Sequence, residues 1–115
     1  MCLLEASAQS MNDTASGREI LSGVAAAKGV VTDKTTGMEA RMMGEVARAT
    51  AGMEISEVNK IISKLVPLYE KNYASAPAGK TFQECYDVKT ITPTEEYVQV
   101  YNSARRQLED LGLVF

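Results

Sequence analysis

The chain has 115 residues, 45% of them hydrophobic, with a formal net charge of −3 and no histidine. That length suits one domain or part of one. The acidic balance and scattered Lys and Arg argue against a nucleic-acid-binding face, and no run approaches the roughly 18 apolar residues of a membrane span. Without histidine there is no Ser-His-Asp or Cys-His nucleophile, no HExxH zinc site and no imidazole base working near neutrality.

Residues 1–11 read as a helix, with Leu3, Leu4, Ala6, Ala8 and Met11 apolar and Asn12, Asp13, Ser16 and Gly17 as breakers. The apolar run starts at once, with no cap residue before it, as if an earlier helix start were missing. Ala6, Ser7, Ala8 and Ser10 are small enough to let a neighbouring backbone approach. No basic leader precedes this run, so a secretory signal is not expected and a cytoplasmic protein is.

Residues 17–37 are divided by Gly17, Gly23, Gly29 and Gly37, and the pieces are too short for isolated helices. We expect irregular structure with one short helix around Ser22–Lys28. The glycine spacing invites a phosphate-loop reading, but Lys28 precedes Gly29 instead of following it and GxGxxG is absent. Nucleotide binding is not expected.

Two helices follow, over 38–51 and 55–74, hinged at Gly52. Met42, Val46, Ala49 and Met53 fall on one stripe of the first. Ile55, Val58, Ile62, Leu65 and Tyr69 do so on the second, widened by Ile61, Val66 and Leu68. Glu45, Arg48, Glu57, Lys60, Lys64 and Lys71 cover much of the remaining surface. Each buried Leu, Ile or Val is worth roughly 1.5–3 kcal/mol, so the stripes need a partner, and they present more apolar face than the chain has obvious cover for. Pro67 predicts a kink near Ser63 and an end around Asn72–Ser75.

Residues 77–91 read as a connecting loop anchored by Phe82, Tyr86 and Val88. The last helix, over 93–111, opens with Thr92-Pro93-Thr94-Glu95, read as a hydroxyl cap, a proline in the first helical position and a closing glutamate. Tyr97, Tyr101, Ala104, Leu108 and Leu111 share one face, and Gly112 ends the helix before the apolar tail Leu113-Val114-Phe115.

No motif carries catalysis. Cys2 and Cys85 lie far apart without a CxxC, which speaks against a disulfide or a zinc site. The pairs Glu95-Glu96 and Glu109-Asp110 read as a helix start and a solvated face. Tyr86 beside Asp87 reads as a packed tyrosine next to a solvated carboxylate. Met38, Met42 and Met43 read as core packing and not as a soft ligand patch. No catalytic, cofactor-binding or metal-binding residue is assigned.

The stretches CLLEASAQS, DTASGREILSGVAAAKGVVTDKTTGMEARMMGEVARATAG, YEKNYASAPAGKTFQECYDVKT and TPTEEY closely resemble the C-terminal portion of the monomethylamine–corrinoid methyltransferases. The resemblance extends over essentially the whole chain. It implies a cytoplasmic enzyme of methanogenesis built on an (α/β)8 TIM barrel, of which this chain is a helical C-terminal segment, mostly α when taken alone. Such an enzyme moves the methyl group of monomethylamine to the Co(I) corrinoid of a partner protein, with pyrrolysine positioning the amine. The family also implies homo-oligomers of the full-length protein. The pyrrolysine segment and most barrel strands are absent here, so no family catalytic residue maps onto this chain, which is expected to bind no cofactor and to be inactive alone. The alternative is a free-standing helical module that docks a corrinoid protein or assembles with itself.

Overall fold

The computed structural model describes residues 1–23 and 25–115. Among the described residues five α-helices form the body: α1 (Cys2–Ala15), α2 (Gly37–Thr50), α3 (Ile55–Leu65), the single turn α4 (Phe82–Cys85) and α5 (Glu95–Asp110). A two-residue antiparallel ladder, β1 (Tyr86–Asp87) with β2 (Thr92–Pro93), joins α4 to α5 with Tyr86 opposite Pro93.

Helix α1 is the centre of the fold and packs chiefly on α2 and α3. It runs on through Asn12, Asp13 and Thr14, past the expected end at residue 11. Its small residues Ala6, Ser7, Ala8 and Ser10 are buried, and the close approach they permit is pinned where Ser10 Oγ donates to the Met43 carbonyl at 2.8 Å. Ser7 Oγ turns back to the Leu3 carbonyl at 2.7 Å, so burial leaves neither hydroxyl unpaired. The helix closes at Gly17, at φ +72°, where the Arg18 amide bonds back to the Asp13 carbonyl.

Helix α2 starts from a capping box in which Thr36 and Glu39 each satisfy the other's backbone or side chain. It ends at Ala51-Gly52, where Gly52 takes φ +85° and lets the chain reverse into α3.

Beyond α3 the structure departs from the expected long helix. The α-helix stops at Leu65, and Val66–Leu68 and Glu70–Ser75 wind as separate 3₁₀ turns instead of a kinked continuation. Pro67 supplies no N–H, and its ring would meet the carbonyl of Ser63, so ending the α-helix removes the clash that a kink would have to absorb. Residues 70–80 are exposed along their whole length.

Three further expectations are corrected. Short helix formation around Ser22–Lys28 reduces to a 3₁₀ turn at Ala26–Gly29, and Val24 lies outside the described residues. Val88 does not anchor its loop: it sits half-exposed in the β1–β2 turn, which is held by Asp87 Oδ1 accepting from the amides of Lys89 and Thr90. The cap of α5 is Thr94, whose Oγ1 accepts from the Tyr97 amide, not Thr92. Thr92 and Pro93 belong to β2 instead, and a two-residue edge ladder tolerates a proline.

The apolar stripes also find more cover than the sequence promised. Leu3, Leu4 and Met11 of α1, Met42 and Val46 of α2, Val58, Ile61 and Leu65 of α3, and Tyr101 and Leu108 of α5 form one buried cluster, capped by Leu113 of the tail. Met38 joins it, and Met43 is buried as well. Ile55 and Leu68, expected on the stripe, are instead exposed, at 59% and 49%.

Candidate functional site

An open cleft of about 1190 Å³ lies on one side of the helical body. One wall is the first turn of α1, with Cys2 and Glu5. A second is the outer side of α5, with Tyr97, Val100 and Ser103. A third is the exposed strap of residues 73–80. The strap is tied by Lys34 Nζ donating to the Gly79 carbonyl at 2.6 Å and by an ion pair between Lys80 and Glu96 at 2.5 Å.

Thr36 and Glu39 lie against this cleft and are buried. Glu39 Oε2 accepts from the Thr36 amide at 2.9 Å and from Thr36 Oγ1. Tyr97 Oη donates to Glu39 Oε1 at 3.1 Å and stands 2.7 Å from Thr36 Oγ1. The cap of α2 is thereby tied to α5. Burial pushes the Tyr97 hydroxyl well above its ordinary range, against the opposing hydrogen bond with Thr36, so it stays protonated and works as a donor.

Cys2 also faces the cleft. Burial, then the charges of Glu39 and Glu5, push its thiol up to about 11, and burial likewise raises Cys85. Neither is a ready nucleophile, since the thiolate is the reactive form. In a Cys85→Ser variant, Cys2 should therefore alkylate at neutral pH about a hundredfold more slowly than an ordinary exposed thiol. Iodoacetamide labelling followed by mass spectrometry reads this, and labelling at the ordinary rate would contradict it.

A second polar cluster lies where α2, α5 and the tail meet. Glu45 accepts from Arg41 Nε at 2.8 Å, Tyr101 Oη at 2.8 Å and Arg105 Nη1 at 3.2 Å. Arg105 also lies over the Phe115 ring at 4.4 Å. Partial burial pulls the Glu45 carboxyl upward, but the hydrogen bonds from Arg41 and Tyr101 and the charges of both arginines hold it below the usual carboxylate range. Burial, then the bond to Glu45, pushes Tyr101 up to about 12. A carboxylate with a depressed folded-state pKa stabilises fully above its unfolded value, and that contribution fades as pH falls through the folded one. Urea midpoints should therefore fall below about pH 4.3 more steeply in the parent chain than in a Glu45→Gln variant. Equal slopes would show that the cluster contributes nothing.

The residues singled out from sequence are not brought into one site. Tyr86 stacks on Phe82 at 4.8 Å and meets Tyr97 edge-on at 6.1 Å, while Asp87 is spent on its turn. Glu96 pairs with Lys80, and Glu109 with Arg105. Among the described residues there is no cluster of three or more His, Cys, Asp or Glu suited to a metal, and no helix is long and apolar enough to cross a membrane. Sequence reasoning missed Thr36 and Glu39, and it placed Glu45 on the open helix surface, where the structure instead half-buries it among Arg41, Tyr101 and Arg105. The first two carried a usable signal in their T-x-x-E spacing, and Thr81–Glu84 forms a second box of that kind.

Fold and cleft together define a helical packing unit whose polar groups are largely satisfied by one another. Its family emerges on comparison with known proteins. The model of the family described as monomethylamine methyltransferase MtmB matches residues 1–113, and the chain belongs to that family. It is 89% identical to monomethylamine methyltransferase MtmB of Methanosarcina mazei and 88% identical to a monomethylamine methyltransferase of Methanosarcina barkeri, over all 115 residues in each case. The crystal structure of the Methanosarcina barkeri enzyme superposes with a TM-score of 0.97 at 88% identity, covering 100% of this chain and 25% of that one. A crystal structure of a hydroxylamine complex of MtmB matches equally well. The chain spans a quarter of the length of the curated relatives it matches.

Proposed function

We propose that this chain is the C-terminal part of a methyltransferase that passes the methyl group of monomethylamine to the Co(I) corrinoid of a partner protein in the methanogen cytoplasm. On this reading it is the helical end of an (α/β)8 barrel and carries no activity alone. The observation that supports it most is the match over residues 1–113 by a chain covering only 25% of its relatives. The local chemistry agrees, because the thiols are held protonated and the buried carboxylate Glu39 already serves its own cap. Neither group is poised to orient an amine for attack by a strong cobalt nucleophile. Incubating the purified chain with monomethylamine and a Co(I) corrinoid protein should leave the corrinoid absorption spectrum unchanged. Formation of methyl-Co(III) would refute the assignment of inactivity.

A second reading is favoured by one observation, the closed cluster around Met11, Met42, Leu65 and Leu108, all fully buried. A chain that covers its own core can serve as a free-standing helical module docking a corrinoid protein or itself. Analytical ultracentrifugation of the chain, alone and with corrinoid protein, separates the two. A stoichiometric complex or a defined oligomer supports the module, and a lone monomer counts against it.

A further inference from the structure

We infer that one ordered water, held by the hydroxyls of Thr14 and Thr50, fastens the C-terminal ends of α1 and α2 together. Three buried side-chain oxygens have no hydrogen-bond partner among the described residues: Asp13 Oδ2, Thr14 Oγ1 and Thr50 Oγ1. Asp13 Oδ2 has the Arg18 guanidinium 3.5 Å away as its counterion. The two hydroxyls have nothing of the kind, although Thr50 is only 1% exposed. A hydroxyl inside a helix commonly turns back to the carbonyl four residues earlier. Ser7 does so to Leu3 at 2.7 Å, and Ser63 to Asn59 at 2.7 Å. Thr14 and Thr50 make no such bond to Ser10 or Val46. Burying a hydroxyl without a partner is costly, and here it would happen twice in one helix pair.

The packing of α1 on α2 brings the two hydroxyls to one level. Both helices start at the cleft, which Cys2 of α1 and Glu39 of α2 line together, so they run side by side in the same direction. Partway along, Ser10 Oγ meets the Met43 carbonyl at 2.8 Å. Thr14 lies four residues beyond Ser10 and Thr50 seven beyond Met43, so each falls on the stripe of its helix that faces the other. The Met43 carbonyl points toward the end of α2, while the Ser10 side chain leans toward the start of α1. That offset makes up most of the difference between four and seven. The two hydroxyls do not bond to each other, and a water between them would give each the partner it lacks. Each can donate or accept, and spare lone pairs on the carbonyls of the last helical turns complete the two to four bonds that a buried water makes. Two uncharged hydroxyls suit a water and not a metal ion.

The sign of one substitution separates a bridged hydroxyl from an unpartnered one. Thr50→Val keeps the shape of the side chain and removes only its hydroxyl. With the water in place, the variant should melt about 4 °C or more below the parent. An unchanged or higher melting temperature is what loss of an unpartnered hydroxyl gives, and it would overturn the proposal. Thr14→Val should also lower the melting temperature, and the double variant should lose less than the sum of the two single losses, because one water is removed once. Strict additivity would likewise count against a shared water. A crystal structure of the parent chain supplies a readout independent of stability, and it decides the matter where a variant fails to fold. Density for a single water within about 3.2 Å of both Thr14 Oγ1 and Thr50 Oγ1 is expected. No density there, or a direct bond between the two threonines, would overturn the assignment.

Discussion

Leu108→Ala should lower the unfolding free energy of this chain by about 2–5 kcal/mol, the cost of emptying a fully buried leucine site. Leu108 is completely inaccessible and belongs to the cluster shared by α1, α2, α3 and α5. Its carbonyl also accepts from the Leu113 amide, so the same turn seats the tail. Single domains hold only about 5–15 kcal/mol in total, and the loss should therefore appear as a large fall in the urea midpoint. Val114→Ala is the control. Val114 is 80% exposed, and its truncation should stay within about 0.5 kcal/mol. An unchanged midpoint for Leu108→Ala would mean that α5 does not dock on the other helices.

The second large effect is expected at Glu39. Replacing it by alanine strands the Thr36 amide and leaves the Thr36 and Tyr97 hydroxyls, which also bond to its carboxylate, with only each other at 2.7 Å, so that one of their two protons loses its acceptor. A donor left without a partner in a buried site costs about 1–3 kcal/mol. Glu39→Ala should therefore destabilise well beyond the loss of one helix cap, which is about 1 kcal/mol. Glu39→Gln keeps one acceptor oxygen and should fall between the two. The tyrosine titration offers an independent readout. Burial is the main cause of the raised Tyr97 pKa, but the Glu39 charge and hydrogen bond add to it. In Glu39→Ala its ionisation, followed by ultraviolet absorbance, should move down while remaining above that of a free tyrosine. A Tyr97 titration indifferent to Glu39 would show that the α2–α5 link does not exist in solution.

Much of the helical organisation was legible because periodicity reports a helix face directly. Met42 with Val46, Val58 with Leu65, and Tyr101 with Leu108 were placed on stripes by spacing alone, and all six are buried. The small residues of α1 were read as a close-approach surface for the same kind of reason: a short side chain limits how far apart two backbones must stay. Local signals misled where two registers competed. Thr92 and Thr94 both offer a hydroxyl ahead of acidic residues, and the ladder between Tyr86 and Pro93 took up the first and left the second as cap. At Pro67 the chain had two ways to avoid one clash, and termination of α3 prevailed over bending.

The sequence by itself determined a helical, acidic chain without an imidazole, and through its close resemblance it determined the family. These properties are local or compositional, and no knowledge of distant contacts is needed to read them. Tertiary structure decided that α1 covers the stripes of α2 and α3, that Glu39 and Glu45 join α2 to α5, and that an open cleft remains beside them. Each of these depends on residues far apart in the chain, Glu39 with Tyr97 and Glu45 with Arg105. No periodicity encodes such partners, because they meet only when whole helices pack.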